Sequence, residues 1–146
     1  MCVIRVGGEK RDYLSITLLH RAYPDAQDYW DGNWLRSEIE VVVGGFRGWV
    51  AELLRAEELV EFGDQLARLL DTFQGTAEFR TMEQWLALTI TSDRRGHLTL
   101  SGELRDEPGL GNTLSFPLEY DQTFFRPMLD GLRDAVERFP VIGRPE

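Results

Sequence analysis

Apolar and polar residues alternate along most of the first third of the chain. Alternation with a period of two predicts β-strands, because successive side chains of a strand point to opposite faces of its sheet. Glycine-rich turns at Gly7-Gly8 and Gly44-Gly45 separate alternating segments, which are therefore expected to pair as hairpins. The predicted strands cover residues 2–6, 13–21, 35–43 and 46–53. His20 falls on the apolar face of the second strand, with Leu14, Ile16 and Leu18.

The pattern becomes helical over residues 56–74. Apolar residues recur there every three or four positions, which predicts an amphipathic helix with one buried stripe. Gly75 is expected to end it. The apolar stripe contains Leu59, Phe62, Leu66, Leu69, Leu70 and Phe73, and the opposite, acidic side contains Glu57, Glu61, Asp64 and Asp71.

Alternation returns in the second half of the chain. Strands are predicted at residues 86–91, 97–101 and 114–120, joined by short turns as an antiparallel meander, and residues 76–80 are compatible with one more. Pro117 indicates a free edge or a bulge in the last strand. A second amphipathic helix is predicted from Phe125 to Phe139, with Thr123 as a candidate cap.

The order of strands and helices predicts an α+β fold. An antiparallel sheet of about seven or eight strands, each with one apolar face, requires a cover, and the two amphipathic helices are expected to pack on one face of it. The pattern leaves open whether the sheet curls. We find no internal repeat and no linker, so residues 1–146 are predicted to form one domain.

Composition and charge exclude several functional classes. Sixteen Lys and Arg against twenty-five Asp and Glu give a net charge of −9, which disfavours direct binding to nucleic acid. No apolar run approaches the roughly 20 residues that cross a bilayer, so no membrane association is predicted. The N-terminus lacks the order of a signal peptide, and the chain has one cysteine, so we expect a cytoplasmic protein.

The sequence contains no recognisable catalytic set. His20 and His97 are far apart, no metal-ligand spacing surrounds them, and no nucleophile or phosphate-loop motif is present. We therefore predict a protein that is not an enzyme and that uses no metal or cofactor. A hydrolase using Asp28, Asp31 and His97 is the least favoured alternative, because it requires these three side chains to converge.

The most unusual segment is the aromatic loop, residues 23–34, which combines three carboxylates with four large aromatic side chains. A calcium site and an acid–base pair are both disfavoured by the spacing. A structural role is favoured, and an overlapping interpretation is a binding surface for a basic partner. The candidate partner-binding residues are Asp25, Asp28, Tyr29, Trp30, Asp31 and Trp34 of the loop, with Glu57, Glu61 and Asp64 of the first helix.

Several segments in order resemble the WapI-type immunity proteins. These are DYWDGNWLRSEIEV (28–41), GF (45–46), DRRGHLTLSG (93–102), DQT (121–123) and FPV (139–141). The resemblance implies a small bacterial cytoplasmic protein, and the namesake of the family binds the C-terminal nuclease domain of a cognate toxin that attacks tRNA. The implied partner is therefore a basic toxin domain, while the oligomeric state stays open.

The leading hypothesis is a non-enzymatic immunity-type protein that neutralises a toxin through an acidic surface, or an orphan relative without a toxin. The alternative is a small-ligand binding module in which Trp30 and Trp34 of the aromatic loop line a deep pocket.

Overall fold

The eight strands within residues 1–145 are divided between two antiparallel sheets. The computed structural model describes residues 1–145. The first sheet has the order β1 (Cys2–Gly7), β2 (Tyr13–Arg21), β3 (Trp34–Val43) and β4 (Phe46–Arg55). The second has the order β5 (Thr76–Arg80), β6 (Leu86–Ser92), β7 (His97–Glu107) and β8 (Leu110–Asp121). Every neighbouring pair within a sheet follows directly in sequence, so both sheets are meanders.

Three helices connect and cover the sheets. α1 (Tyr29–Gly32) is a single turn between β2 and β3, α2 (Ala56–Thr72) joins the two sheets, and α3 (Arg126–Arg138) follows the second. The α+β class, the strand number and the two amphipathic helices are thus confirmed, with the strands in two sheets rather than one. None of the helices in residues 1–145 has the length and apolarity needed to cross a membrane.

The chain repeats its order of elements, although its two halves share no recognisable sequence repeat. Each half has four strands followed by a long helix. Each long helix packs beside the first strand of the other half, α2 beside β5 and α3 beside β1. Buried side chains from both sheets and both long helices form one hydrophobic cluster. The alternation in the sequence therefore gives each strand its buried face, and the helices close the remaining sides.

Both long helices differ from the predictions at their ends. α2 ends at Thr72 because Phe73 takes a left-handed conformation, with φ of +55°, and donates its N–H to Leu69 O at 2.8 Å. The predicted end at Gly75 is therefore two residues late. Thr123 lies inside a 3₁₀ turn that precedes α3, and Asp121 caps that turn by accepting the Thr123 N–H at 2.8 Å. The prediction of Thr123 as the cap of α3 is wrong.

Two strand predictions had different outcomes. β8 is an edge strand, so the free edge expected from Pro117 is confirmed. His20 is exposed, and its predicted place on the buried face of β2 is wrong. The reason is an irregularity in the pairing of β2 with β3 between Leu18 and His20, which breaks the alternation after Leu18.

Candidate functional site

The aromatic loop contains a helical turn, α1, which starts at a capping carboxylate. Asp28 is extended, and its side chain accepts the N–H of Asp31 at 3.0 Å. Its carbonyl accepts the N–H of Gly32 at 2.9 Å. The first bond satisfies an N–H group that the first turn of a helix leaves without a partner, and the second is the first regular backbone bond of the turn. Asp31 and Gly32 therefore belong to α1.

Arg55 connects this loop to the rest of the fold. It is the last residue of β4, directly before α2, and only 1% of it is exposed. Its Nη1 donates to Trp30 O at 2.7 Å, and its Nη2 donates to Tyr29 O at 2.8 Å. Its Nε donates to the carboxylate of Glu57 at 2.5 Å. One buried guanidinium thus joins α1, β4 and the first turn of α2, and the bonds compensate for burying its charge.

Three aromatic rings surround the same guanidinium. The Arg55 Cζ lies 5.2 Å from the ring centroid of Tyr29, 5.3 Å from that of Trp30 and 4.7 Å from that of Trp34. Distances below about 6 Å are typical of cation–π contacts. The space between the rings is therefore filled by a cation of the protein itself. This observation argues against the alternative in which Trp30 and Trp34 line a deep ligand pocket.

The side chain of Glu57 points towards Arg55 and is only partly exposed to solvent. One of its carboxylate oxygens accepts from Arg55, and the other is buried without a hydrogen-bond partner among the described residues. Burial and the adjacent Glu57 carboxylate raise the pKa of Tyr29. Glu57 was expected on the outer acidic side of the helix. Its contacts make it chiefly part of the internal network beneath the aromatic loop.

Glu58 closes the start of α2. Its side chain accepts the backbone N–H of Arg55 at 2.8 Å, the reach-back bond that a Glu makes at the third position of a helix. Burial raises the pKa of Glu58 to about 7. The start of α2 therefore carries a carboxyl group that titrates near neutral pH.

The chain after α3 folds back onto the aromatic loop. Asn33, which is fully buried, donates its Nδ2 to Ile142 O at 2.9 Å and accepts the Ile142 N–H at 3.0 Å. Arg21 donates to Gly32 O at 2.7 Å and to Pro140 O at 2.6 Å. We call residues 139–143 the C-terminal strap. Asn33 and Arg21 fix it against α1.

The exposed carboxylates lie on the outside of this assembly. Within residues 1–145, none of the following five has a cationic partner within 4 Å: Asp25, Asp28, Asp31, Glu61 and Asp64. All five are exposed, and Trp30 is 50% exposed. Tyr29 and Trp34 are only partly exposed because they pack around Arg55. We call Asp25, Asp28, Trp30, Asp31, Glu61 and Asp64 the acidic surface.

The residues of the hydrolase alternative do not converge. Asp28 and Asp31 lie near the start of α2 through Arg55, whereas Gly96, the neighbour of His97, approaches Phe73 beyond the end of α2. A helix rises about 1.5 Å per residue, so the length of α2 separates them by about 25 Å. No group of three potential metal ligands occurs within residues 1–145. Burial raises the pKa of the Cys2 thiol to about 11, which leaves it protonated and a poor nucleophile at neutral pH.

Sequence reasoning missed Arg55 and Asn33, the two residues that organise this region. Arg55 is the last residue of β4 and Asn33 lies directly before β3, and polar residues at such positions are usually exposed. One signal for Arg55 was present, since Glu58 follows it by three residues at the start of a helix. The contact of Asn33 with Ile142 spans most of the chain, and no local pattern indicates it.

Comparison with known proteins assigns the family. The model of the Immunity protein WapI-like family matches residues 5–140. The chain belongs to this family. Membership in this WapI-like family suggests a role in neutralising a toxin. No curated protein matches the chain at a significant level.

A solved structure shares the fold of this WapI-like chain. A chain in the crystal structures of Trypanosoma brucei MRP1/MRP2 superposes with a TM-score of 0.51 at 15% sequence identity. The match covers 93% of this chain and 84% of that chain. At this identity the similarity concerns the fold alone.

The described contacts explain why the WapI-like motif DYWDGNW has these residue types. Asp28 caps α1, Trp34 stacks on Arg55, and Asn33 holds the C-terminal strap. A Cβ atom at Gly32 would lie 2.2 Å from Ile142 Cδ1, so glycine permits the close approach of the strap. These four residues therefore stabilise the fold, and Asp28 in addition remains exposed with the other carboxylates of the acidic surface.

Proposed function

We propose that this WapI-like protein neutralises a cognate toxin nuclease domain by binding it through the acidic surface, without catalysing a reaction. The observation that carries this proposal is that, within residues 1–145, the exposed carboxylates of the acidic surface have no cationic partner. Family membership supplies the toxin-neutralising role. The nuclease nature of the toxin, its basic charge and a cytoplasmic site of action are parts of the proposal.

Arg55 supports the continuity of the surface. It bonds the carbonyls of α1 and the first turn of α2 at the same time, so the exposed side chains of the two elements are held beside each other. Glu57, Glu61 and Asp64 are four and three residues apart, which places them on one side of the helix. The positive charge of Arg55 is buried and paired, and it therefore does little to reduce the negative field outside.

The negative charge of the acidic surface favours a basic partner. A nuclease that binds RNA needs basic residues to contact phosphates. A chain with a net charge of −9 attracts such a domain over a distance and would cover the same basic residues that contact RNA. Competition for these residues is enough to inhibit the toxin, and the inhibitor needs no reactive group of its own.

Trp30 is the expected anchor within the acidic surface. Tryptophan and tyrosine dominate binding energy at many interfaces, because large rigid rings bury much area at little entropic cost. The backbone of Trp30 is held by the bond that its carbonyl accepts from Arg55. Its ring is held by Arg55 Cζ at 5.3 Å from the centroid and by an edge contact with Tyr29 at 5.1 Å between centroids. The exposed half of the ring is thus held in place before a partner arrives.

Co-purification of the full chain with the polypeptide encoded next to it, followed by titration calorimetry, tests the proposal. We expect a complex whose affinity falls steeply as salt increases. Asp31→Lys and Glu61→Lys should each weaken binding by at least about tenfold, mainly by slowing association. Trp30→Ala should weaken it by about 2 kcal/mol or more.

Glu119→Lys is the matched control, because Glu119 is also exposed and acidic but lies on β8 of the second sheet. It should bind almost as tightly as the unchanged chain. An equal loss of affinity in all three charge variants would indicate general charge attraction without a defined surface. Absence of any complex with adjacently encoded polypeptides would count against the whole proposal.

A further inference from the structure

Two four-stranded sheets have four edge strands, and the structure protects two of them with helices. α3 packs so closely along β1 that a Cβ atom at Gly131 would lie 2.7 Å from Val3 O. α2 covers β5, and Gln65 Oε1 accepts the backbone N–H of Glu78 at 2.8 Å. Such cover prevents the free N–H and C=O groups of an edge from pairing with another chain.

The third edge and part of the fourth are protected by single residues. β8 carries Pro117 near its middle, which cannot donate a hydrogen bond to a neighbouring strand. In the second half of β4, the indole Nε1 of Trp85 donates to Leu53 O at 3.0 Å. The unprotected part of the fourth edge is the first half of β4, from Phe46 to Glu52. In the described chain this segment pairs with β3 on one side only.

This open segment carries two of the most exposed aromatic side chains of the protein. Phe46 is 70% exposed and Trp49 is 56% exposed. A groove of about 400 Å³ runs beside them and is lined on its far side by Leu104 and Leu114 of the second sheet. Exposed apolar side chains next to an unprotected strand edge are a combination that natural proteins avoid unless the edge is used.

The segment is less acidic than the acidic surface, because its charged residues are one arginine, Arg47, and one acid, Glu52. Arg47 is paired with Glu40, its Nε lying 3.0 Å from Glu40 Oε2. Asp106, on the opposite side of the groove, accepts from the backbone and side chain of Asn112 at 2.8 and 3.0 Å. Asp106 stays charged, because these bonds lower its pKa. A basic toxin domain therefore meets fewer negative charges here than at the acidic surface, and a second acidic chain meets less repulsion.

We infer that a second copy of the chain covers this edge, with the Phe46–Glu52 segments of the two copies paired antiparallel about a two-fold axis. A two-fold interface must be complementary to itself, and an antiparallel pair of identical strands meets this condition. Trp49 is the middle residue of the open segment. Pairing centred on it places the two Trp49 side chains next to each other on one face of the sheet. It brings each Phe46, which points to the opposite face, next to Glu52 of the other copy.

The pairing leaves the acidic surface free. Arg55, at the other end of β4, lies six residues from Trp49, and a strand rises about 3.3 Å per residue, so the two regions are about 20 Å apart. The dimer would therefore present two acidic surfaces.

The size of the interface indicates a weak dimer. Aromatic side chains have about 150–250 Å² of surface each, so the exposed parts of Phe46 and Trp49 supply roughly 250 Å² per copy. Together with the strand backbone this reaches about 1,000 Å² in total, the lower end of specific interfaces. We therefore expect dissociation in the micromolar range, with exchange between monomer and dimer.

Sedimentation velocity of the full chain over a concentration series tests the inference. The mass should rise from the 16.8 kDa of one chain towards twice that value. Trp49→Glu and Phe46→Glu should each weaken the dimer by at least tenfold. Met82→Glu is the control, because Met82 is 54% exposed but lies outside β4, and it should dimerise as the unchanged chain does. Circular dichroism confirms that each variant is folded.

Hydrogen exchange locates the contact. Amides of residues 46–52 should exchange more slowly at concentrations where the dimer forms, while those of β8 should not change. A chain that stays monomeric at the highest soluble concentration would overturn the inference. So would a dimer that neither variant at Trp49 or Phe46 weakens. Toxin binding is measured separately at dilute concentration, so failure of either proposal is distinguishable from failure of the other.

Discussion

Replacement of Arg55 by methionine should strongly destabilise the protein. Methionine keeps most of the volume of the side chain but removes its charge and all of its donors. The carbonyls of Trp30 and Tyr29 then lose the bonds of 2.7 and 2.8 Å, respectively, that they accept from Arg55. Glu57 loses its cationic partner while one of its oxygens is already buried and unpartnered.

The expected loss can be worked from these contacts. Removing one partner of a buried ion pair costs about 3–5 kcal/mol, because the remaining charge stays desolvated. The carbonyl of Trp30, which is left without a donor, adds about 1 kcal/mol, and part of this is regained if water enters. The carbonyl of Tyr29 keeps the bond of 2.9 Å that it accepts from Asn33 Nδ2 and adds less. We therefore expect Arg55→Met to lower the free energy of unfolding by about 4 kcal/mol. A domain of this size has roughly 5–15 kcal/mol in total, so the variant should be close to its limit of stability.

Guanidinium denaturation followed by tryptophan fluorescence measures this loss, since Trp30 and Trp34 lie around Arg55. Arg55→Lys should lower the free energy of unfolding by less, about 2 kcal/mol, because lysine keeps the charge but lacks the planar guanidinium group. The double variant Arg55→Met with Glu57→Gln should be more stable than Arg55→Met alone. A loss below about 1 kcal/mol in Arg55→Met, or no gain in the double variant, would refute the assigned role of Arg55.

Three further predictions concern positions elsewhere in the fold. The folded-state pKa of Glu58 is about 7 against 4.5 for the free group, so the free energy of unfolding should fall as pH rises between these values, by at most about 3 kcal/mol. In Glu58→Gln this pH dependence should be smaller, as seen by denaturation at a series of pH values. Asn33→Leu should cost about 3 kcal/mol, because the backbone of Ile142 loses both bonds, and the strap should become sensitive to protease. Gly102→Ala should cost about 1–3 kcal/mol in thermal unfolding, because the new Cβ would lie 2.3 Å from the ring of Phe116; an unchanged melting temperature would contradict this packing.

The elements of the fold were predictable where burial follows a regular period. The stripe from Leu59 to Leu70 is buried along α2, and the alternation in β6 and β7 matches their buried faces. These features depend on one element and its own environment. Local patterns are therefore sufficient to find them.

The division into two sheets was not predictable by the same means. Strands with one apolar face are compatible with one sheet or two, and only contacts distant in sequence decide between them. His20 is exposed because the pairing of β2 with β3 is irregular, and the alternation of β2 alone does not show this irregularity. These features depend on which strand meets which, and a single sequence contains little of that information.

In the candidate site, the composition of the aromatic loop was informative but its contacts were not. The loop was expected to be structural, and the sequence indicated no partner for its rings. That partner is the buried Arg55, which lies about twenty residues further along the chain, at the end of a strand where an arginine is usually exposed. An arginine at such a position is normally interpreted as an exposed charge, but in this fold it is buried.

Titration of the full chain against the nuclease activity of an adjacently encoded toxin domain tests the central claim most directly. Activity on RNA should fall to zero at one chain per toxin domain, and the inhibition should be weaker with Asp31→Lys and at high salt, but unchanged with Glu119→Lys. Full nuclease activity in the presence of a large excess of the folded chain would contradict the claim.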